Sequence, residues 1–282
     1  VKAVAPFALG MAYVTLIWIM STQTDKLILS TVLSLSDFGY FTLIALVAGG
    51  IMMLSTPIAL ALMPRMTLLL SQGDKAQMLS LYGNASQVIL LLCLSTALTV
   101  GMFSEQLLFA WTDDRALALW GKDVLLWYAL GNAVVAIVSF QYYLQNAFGK
   151  LRLHVIGSTI SALLQAPVIY LAVTKFGVLG AGMAWFWFWL LWFLFWTPIV
   201  HRNFVPGFHL KYLLKQILPV VLGVTLVAFF VYESVNIELS QNRYLILMEL
   251  AVVWFMQLAI SAGSSEFIRR EAMKQILRLR EK

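Results

Sequence analysis

Residues 38–63 read FGYFTLIALVAGGIMMLSTPIALALM and contain no charged side chain. At about 1.5 Å per residue, a helix of this length crosses the hydrocarbon core of a bilayer, which is roughly 30 Å thick. Every backbone amide in that core needs a hydrogen-bond partner, and a helix supplies one within the segment itself. The stretch therefore predicts a transmembrane helix.

Apolar runs of similar length recur along the chain, separated by short segments rich in Gly, Ser, Asp and basic residues. Their number and length predict an all-α polytopic membrane protein of about eight transmembrane helices. The predicted spans are Pro6–Ile28, Phe38–Met63, Met78–Gly101, Val124–Ala147, Leu153–Thr174, Val178–Val200, Leu214–Tyr232 and Tyr244–Ala262.

The composition excludes several classes of protein. Of the 282 residues, 61% are hydrophobic and 11% are charged, whereas about 25% of the residues in soluble domains are charged. The net charge is +6, but the basic residues are spread over short loops and the C-terminal end, which argues against nucleic-acid binding. No phosphate loop, dinucleotide fingerprint, catalytic dyad or metal-ligand spacing occurs in the sequence. We therefore predict no enzyme activity, no cofactor and no metal site.

Basic residues are distributed unequally between the two sides that eight spans define. One side receives fourteen of them and the other receives four, while Lys26 lies inside a span. The positive-inside rule makes the richer side cytoplasmic, so we predict that both termini are cytoplasmic. The fourteen are Lys2, Arg65, Lys75, Lys150, Arg152, Arg202, Lys211, Lys215 and the six basic residues of the tail, and the four are Arg115, Lys122, Lys175 and Arg243.

The tail, residues 266–282, intersperses apolar side chains such as Ile268 and Ile276 with basic ones. This pattern predicts an amphipathic basic helix. Either it lies against the anionic inner leaflet, or it is a solvated charged end. At the other terminus the chain begins with Val1, and we expect it to be the later part of a longer protein.

Asp25 and Lys26 lie within the first predicted span, where a charge exposed to lipid costs at least roughly 2.5–3.5 kcal/mol. Thr15, Trp18 and Thr22 precede Asp25 at helical spacing and form a partly polar stripe with it,. Either this stripe lines a polar cavity, or Asp25 and Lys26 neutralise each other near the interface while the lysine extends outward.

A second polar stripe follows the fourth predicted span. Asn132, Ser139 and Asn146 recur there every seven residues, and Gln141 and Gln145 lie beside them. Uncharged amides both donate and accept hydrogen bonds, which suits the hydroxyl groups of sugars. Amides between membrane helices are also commonly structural, so both interpretations stay open.

Pro57 and Pro64 lie seven residues apart in the second predicted span. Each proline removes a backbone hydrogen bond and kinks its helix. Two kinks after Gly49-Gly50 indicate either a hinge for alternating access or a static bend. Arg65, at the cytoplasmic end of this span, either binds a phosphate or anchors the helix end.

The sixth predicted span is crowded with aromatic side chains. Tryptophan and phenylalanine alternate almost without interruption between Trp185 and Trp196. Aromatic residues all around a helix favour lipid contact and packing over a cofactor site.

Four groups of residues carry a family resemblance. They are TQTDKLILS at Thr22–Ser30 with LSLSDFGYF at Leu33–Phe41, Pro57 with MPRM at Met63–Met66, QGD at Gln72–Asp74, and GVLGAGMA at Gly177–Ala184. In this order they resemble the seventh helix and its loop, the eighth helix, the cytoplasmic loop that follows it, and the start of the twelfth helix of Wzx-type O-antigen flippases. These flippases belong to the multidrug/oligosaccharidyl-lipid/polysaccharide exporter superfamily.

The resemblance implies a chain with two six-helix lobes around a central cavity and two further helices. This sequence would hold the second lobe at 1–200, two additional transmembrane helices at 201–265 and the basic tail at 266–282. The implied activity is the flipping of undecaprenyl-pyrophosphate-linked oligosaccharides across the bacterial inner membrane during O-antigen and polysaccharide biosynthesis. The implied partners are the bilayer, that glycan lipid, the missing N-terminal lobe, a polysaccharide polymerase and glycosyltransferases.

The resemblance also implies roles for the polar residues. Lys26 and Arg65 would attract phosphate, and Asp25 would couple transport to a proton or ion, or tune Lys26. The four amides, Asn132, Gln141, Gln145 and Asn146, would contact sugars. Two alternatives remain: a cation-coupled drug antiporter of the same superfamily, and a non-transporting membrane scaffold or truncated relic. Without the first lobe, we do not expect the chain to transport alone.

Overall fold

A computed structural model of the chain describes residues 5–239 and 242–280. All regular secondary structure within these ranges is helical. A π-helical turn at Leu213–Ile217 joins α8 to α9, and a 3-10 turn at Ala262–Ser264 joins α10 to α11. The helices are α1 Ala5–Ser30, α2 Leu35–Ser71, α3 Lys75–Met102, α4 Ser104–Thr112, α5 Arg115–Val138, α6 Phe140–Ala147, α7 Arg152–Phe204, α8 Phe208–Tyr212, α9 Leu218–Ser234, α10 Arg243–Ser261 and α11 Glu266–Arg280.

Six helical segments among the described residues are long and apolar enough to cross a membrane. The chain is therefore a multi-pass, all-α membrane protein, which confirms the predicted fold class at that level. The predicted count of eight is reached from these six if α1, which is 26 residues long, is added and the 53-residue α7 is counted as two spans. The six segments are Leu35–Ser71, Lys75–Met102, Arg115–Ala147, Arg152–Phe204, Phe208–Ser234 and Arg243–Ser264.

The long helix α7 is interrupted at Gly177. This residue has φ 60° and ψ −145°, a backbone conformation that is open almost only to glycine. Just beyond it the chain folds back on itself. The close approach is seen at Gly180, where an added Cβ would lie 2.2 Å from the carbonyl oxygen of Ala172. The turn falls in the segment Lys175 to Gly177 that separates two predicted spans.

The two sides of this turn run antiparallel. Far from Gly177, a Cβ on Gly157 would lie 2.6 Å from the indole ring of Trp196. These two residues are almost equally distant from Gly177 along the sequence, as expected for a helical hairpin. We call residues 152–176 the first arm and residues 178–204 the second arm.

Helix α2 begins with a capping arrangement that the serine and aspartate after α1 provide. The backbone N–H of Asp37 donates to the Ser34 hydroxyl oxygen at 3.1 Å, and the Ser34 hydroxyl donates to the Asp37 carboxylate at 2.8 Å. The first bond satisfies one free amide of the first helical turn, and the second orients the serine hydroxyl. α2 then continues to Ser71, beyond the predicted end at Met63.

Helix α5 starts at an N-cap that also ties it to α2. The Asp114 carboxylate accepts hydrogen bonds from the backbone N–H groups of Ala116 and Leu117 at 2.8 and 3.1 Å, and from the Tyr40 hydroxyl at 2.9 Å. These bonds, of which the one from Leu117 has the largest effect and the one from Tyr40 the next largest, stabilise the ionised carboxylate. They hold the pKa of Asp114 below its ordinary value,.

The fourth predicted span, Val124–Ala147, is not one continuous helix. α5 ends at Val138 and α6 begins at Phe140. Between them, the Ser139 hydroxyl donates to the Ala136 carbonyl at 2.7 Å, and such bonds from serine to the preceding turn bend helices. The short helix α4, in the loop before α5, has no counterpart among the predicted spans.

Helix α5 lies at the centre of the fold and packs against α2, α3, α4 and α7. α1 packs mainly against α7, and α9 and α10 pack against α3. The helices after α7 therefore attach to the side of the molecule that carries α3, away from α1. This arrangement leaves a space between α1, α2, α5 and the hairpin of α7.

Candidate functional site

A cavity of about 330 Å³ occupies the space between α1, α2, the α5–α6 junction and both arms of α7. Small-molecule sites have volumes of roughly 300–1,000 Å³, so it is large enough for a small group. No Lys, Arg, Asp or Glu occurs among the described residues that line it. We call it the neutral cavity; its polar lining includes Ser21, Gln141, Tyr142, His154, Ser158 and Ser161.

Helix α1 contributes the polar stripe that the sequence indicates. Thr15 and Trp18 line the neutral cavity together with Ser21. A hydrogen bond of 3.0 Å between the hydroxyl oxygens of Tyr13 and Thr159 holds α1 against the first arm of α7. The cavity-facing part of the stripe thus ends before Asp25.

The second arm of α7 contributes three tryptophans: Trp189, Trp192 and Trp196 line the neutral cavity. The rings of Trp192 and Trp196 are stacked, with centroids 5.1 Å apart and planes 21° apart. On the opposite side of this arm, Trp187 and Phe195 are exposed. One face of the aromatic span is therefore exposed and another forms a cavity wall, and the predicted lipid contact stays a prediction.

Asp25 lies deep in the structure but outside the lining of the cavity. It is buried on α1, and its carboxylate accepts a hydrogen bond of 2.8 Å from the Tyr128 hydroxyl of α5. Its other oxygen accepts from the backbone N–H of Lys26 at 2.8 Å. Among the described residues no ion pair joins the side chains of Asp25 and Lys26. The carboxylate therefore links α1 to the central helix.

The two cations predicted to attract phosphate do not line the neutral cavity. Lys26 is half-buried and Arg65 is exposed. The predicted hinge residues, Pro57 and Pro64, are also exposed, and both lie inside the continuous helix α2. Thr56, directly before Pro57, lines the cavity. A change in the bend of α2 would therefore move one cavity wall, and the hinge stays a prediction.

One of the four predicted amides lines the cavity, and a second bonds to a lining residue. Gln141 lines it and is buried, and its side-chain oxygen has no hydrogen-bond partner among the described residues. Asn146 donates through its side-chain nitrogen to the Tyr142 hydroxyl at 3.0 Å, and Tyr142 lines the cavity. Asn146 thus orients a lining residue.

The other two amides lie elsewhere in the core. Gln145 is fully buried and is not a lining residue of the cavity, and neither of its side-chain polar atoms has a partner within the described part of the chain. Asn132 is buried and donates to the backbone carbonyl of Tyr128 at 3.0 Å, one turn earlier on its own helix. Contact between these two residues and a sugar stays a prediction.

A second, basic pocket opens beside the start of α7. It has a volume of about 610 Å³ and is lined by Lys150, Arg152 and Asn203, among others. The Lys75 side chain reaches its edge, because its Nζ atom donates to the carbonyl of the lining residue Phe204 at 3.2 Å. The sequence placed these cations in loops of the predicted cytoplasmic side, but only the fold brings them together.

A cluster of buried polar groups fastens the last helices to α3. Gln87 is fully buried, and its side-chain oxygen accepts from the Ser265 hydroxyl at 2.6 Å and from the backbone N–H of Phe267 at 3.2 Å. Its side-chain nitrogen donates to the Gln216 side-chain oxygen. We call these four residues the Gln87 cluster. The only sequence signal for it was one glutamine in an apolar span.

Two histidines come together next to this cluster. The Nδ1 atoms of His201 and His209 are 3.0 Å apart, and Nε2 of His201 is 3.0 Å from the Tyr82 hydroxyl. The Tyr212 hydroxyl donates to Ser86 on the same helix as Tyr82 at 3.1 Å. These bonds hold α8 against the second arm of α7 and against α3.

The fold has a counterpart among solved structures. The structure of lipid II flippase MurJ in its inward closed conformation matches this chain with a TM-score of 0.66, over 90% of this chain and 51% of the MurJ chain. This chain folds like half of MurJ. The two sequences are 13% identical, so the likeness shows a MurJ-like fold and leaves the substrate open.

No protein-family model matches the sequence. No curated protein matches it either. The match is therefore one of fold, that of a multi-pass helical membrane protein. The chain spans about half the length of MurJ.

Proposed function

We propose that this chain forms one half of a flippase that moves undecaprenyl-pyrophosphate-linked oligosaccharides from the cytoplasmic to the periplasmic leaflet of the bacterial inner membrane. The observation that carries the proposal is the likeness of 90% of the chain to half of a lipid II flippase. The other half would be the N-terminal lobe that the sequence resemblance implies. Together, the two lobes would enclose the path of the substrate.

The physical chemistry of such a substrate fits the surfaces of the chain. A lipid-linked head group needs a polar path, while its acyl tail can remain in the bilayer. The outer faces of α1 and α2 expose large apolar side chains such as Leu16, Met53 and Leu60, which suit contact with acyl chains or with a second lobe. The polar groups lie inward of these faces, in the neutral cavity and around Asp25.

Within this proposal the polar residues divide by charge. Lys26 and Arg65 attract the diphosphate during transport, and Asp25 couples transport to a proton or ion. Lys150 and Arg152 of the basic pocket, on the predicted cytoplasmic side, add a site where an anionic head group first binds. The amides Asn132, Gln141, Gln145 and Asn146 offer contacts for sugars.

Neutralising the basic pocket should slow transport moderately. A cation near an anionic surface contributes about 1 kcal/mol, so we expect Arg152→Gln to lower the rate of glycan display about three- to fivefold. The measurement is the rate at which surface polysaccharide reappears after induction of the full-length protein. Arg115→Gln, on the opposite predicted side, serves as the control. Equal rates for Arg152→Gln and wild type would exclude a role of the pocket in substrate capture.

Deletion of the gene tests the function itself. We expect loss of surface polysaccharide and accumulation of lipid-linked oligosaccharide on the cytoplasmic face of the inner membrane, both restored by the full-length protein. A drug antiporter would instead give greater sensitivity to amphiphilic cations with normal polysaccharide. If the chain were a scaffold or relic, deletion would change neither surface polysaccharide nor sensitivity to amphiphilic cations. Either of the last two outcomes would refute the proposal.

A further inference from the structure

We infer that the neutral cavity binds an uncharged ring that carries hydroxyl groups, such as one pyranose unit, and that it excludes phosphate. This inference rests on the proposed function for the biological source of the ring. It goes further, because it separates the place of the sugar from the place of the phosphate. The observations that carry it are the charge of the lining, two unsatisfied polar atoms and the aromatic wall.

The lining of the cavity disfavours an anion. The described lining residues include no Lys or Arg, so the cavity offers no permanent positive charge. A phosphate placed here would lose its hydration without gaining a permanent opposite charge. The cations lie elsewhere: Lys150 and Arg152 line the separate basic pocket.

Two residues of the lining each hold a buried polar atom without a partner, and the two atoms are complementary to a hydroxyl group,. The side-chain oxygen of Gln141 and the indole Nε1–H of Trp189 are both buried without a hydrogen-bond partner in the described part of the chain. Each residue is at least nine-tenths buried. Buried polar groups are nearly always paired in native proteins. A hydroxyl group can donate to the first atom and accept from the second.

The aromatic wall suits a ring better than a flexible chain. Trp192 and Trp196 form a stacked pair along the second arm. The rings of His154 and Tyr142 form a second pair, with centroids 4.8 Å apart. All four residues line the neutral cavity. The negative face of an aromatic ring attracts the weakly positive C–H groups on one side of a sugar ring. The amide and the indole N–H would then bond to hydroxyls at its edge.

The same first turns of α7 border both pockets. Leu151 and His154 line the neutral cavity, while Arg152 and Leu153 line the basic pocket. A head group with a sugar next to a phosphate could thus be divided between two faces of one helix. Lys26 and Arg65, the cations predicted to attract phosphate, line neither of these two pockets.

The test measures direct binding to the purified chain in phospholipid nanodiscs without sugar detergents. Saturation-transfer NMR is recorded with a panel of methyl glycosides of common hexoses and N-acetylhexosamines, and with the corresponding sugar 1-phosphates. We expect at least one methyl glycoside to bind, and its 1-phosphate to bind at least about tenfold more weakly, a difference of about 1.4 kcal/mol.

Variants locate the binding. Trp189→Phe removes the indole N–H, and Gln141→Leu removes the amide oxygen; we expect each to weaken binding of the glycoside about fivefold or more. Trp187→Ala, an exposed tryptophan on the same arm outside the cavity lining, should leave binding unchanged. The thermal transition of each variant is recorded, and Trp189→Phe decides the result if Gln141→Leu does not fold.

Three outcomes would overturn the inference: no glycoside binds, the 1-phosphates bind as well as the glycosides, or Trp187→Ala weakens binding as much as Trp189→Phe does. The experiments distinguish an error in the assignment of the cavity as a sugar site from an error in the proposed function. If glycosides do not bind but gene deletion still abolishes glycan display, only the cavity assignment falls. If they bind and deletion has no effect on display, the flippase proposal falls and the sugar site remains.

Discussion

Asp25→Asn should lower transport by at least about tenfold while the protein remains at its normal level in the membrane. A tenfold loss corresponds to about 1.4 kcal/mol of transition-state free energy. The carboxylate of Asp25 is buried on a membrane-spanning helix and accepts a hydrogen bond from Tyr128. The amide of asparagine has the same shape and can still accept this bond, so the packing of α1 on α5 should persist. The negative charge and the ability to bind a proton or ion would be lost.

Surface glycan per cell, normalised to the amount of full-length protein in the membrane, measures this effect. Asp123→Asn changes an exposed aspartate on α5 and should leave display unchanged. Tyr128→Phe separates the hydrogen bond from the charge, because it removes the donor and keeps the carboxylate. We expect a smaller loss for Tyr128→Phe than for Asp25→Asn. Normal display by Asp25→Asn would remove this residue from the mechanism.

Gln87→Ala should lower the free energy of unfolding by about 2–4 kcal/mol, because it leaves several buried polar groups unsatisfied at once. The Ser265 hydroxyl and the Phe267 N–H would lose their acceptor, and the Gln216 side-chain oxygen would lose its donor. These groups belong to the segments that follow α7, so their attachment to α3 should weaken. We expect a fall of several degrees in the thermal transition of the nanodisc-embedded protein.

Gln77→Ala is the matched control for this prediction. It makes the same substitution on the same helix, but Gln77 is exposed in the first turn of α3. Its thermal transition should stay within about a degree of wild type, because exposed substitutions usually change stability by less than about 0.5 kcal/mol. A Gln87→Ala variant that melts like this control would show that the Gln87 cluster does not stabilise the fold.

Much of the fold could be predicted from local patterns. Helices cover all eight predicted spans, and the reversal at Gly177 falls in a predicted separator. A span needs a continuous apolar run and a turn needs its glycine, and both are visible within a few neighbouring residues. The stripe of Thr15 and Trp18 and the amide Gln141 also reach the cavity as helical spacing suggests.

Other features depend on residues far apart in the sequence. Tyr128 reaches Asp25 across 103 positions, and Ser265 reaches Gln87 across 178. Neither partner carries a local signal, because tyrosine and serine are common in membrane helices for many reasons. Hydropathy also cannot distinguish Trp192 from Trp187, since a cavity wall and a lipid-facing surface favour the same aromatic side chain. Only the rotation of the helix separates them.

The one-residue reversal at Gly177 limits how the protein can change shape. A connection this short has no spare length, so neither arm of α7 can slip by a helical turn of about 5.4 Å along the other without unravelling its end. Both arms should therefore travel as one rigid body, carrying the tryptophans and His154 together. Any widening or narrowing of the cavity would then come from its other walls, above all from a change in the bend of the proline-bearing α2.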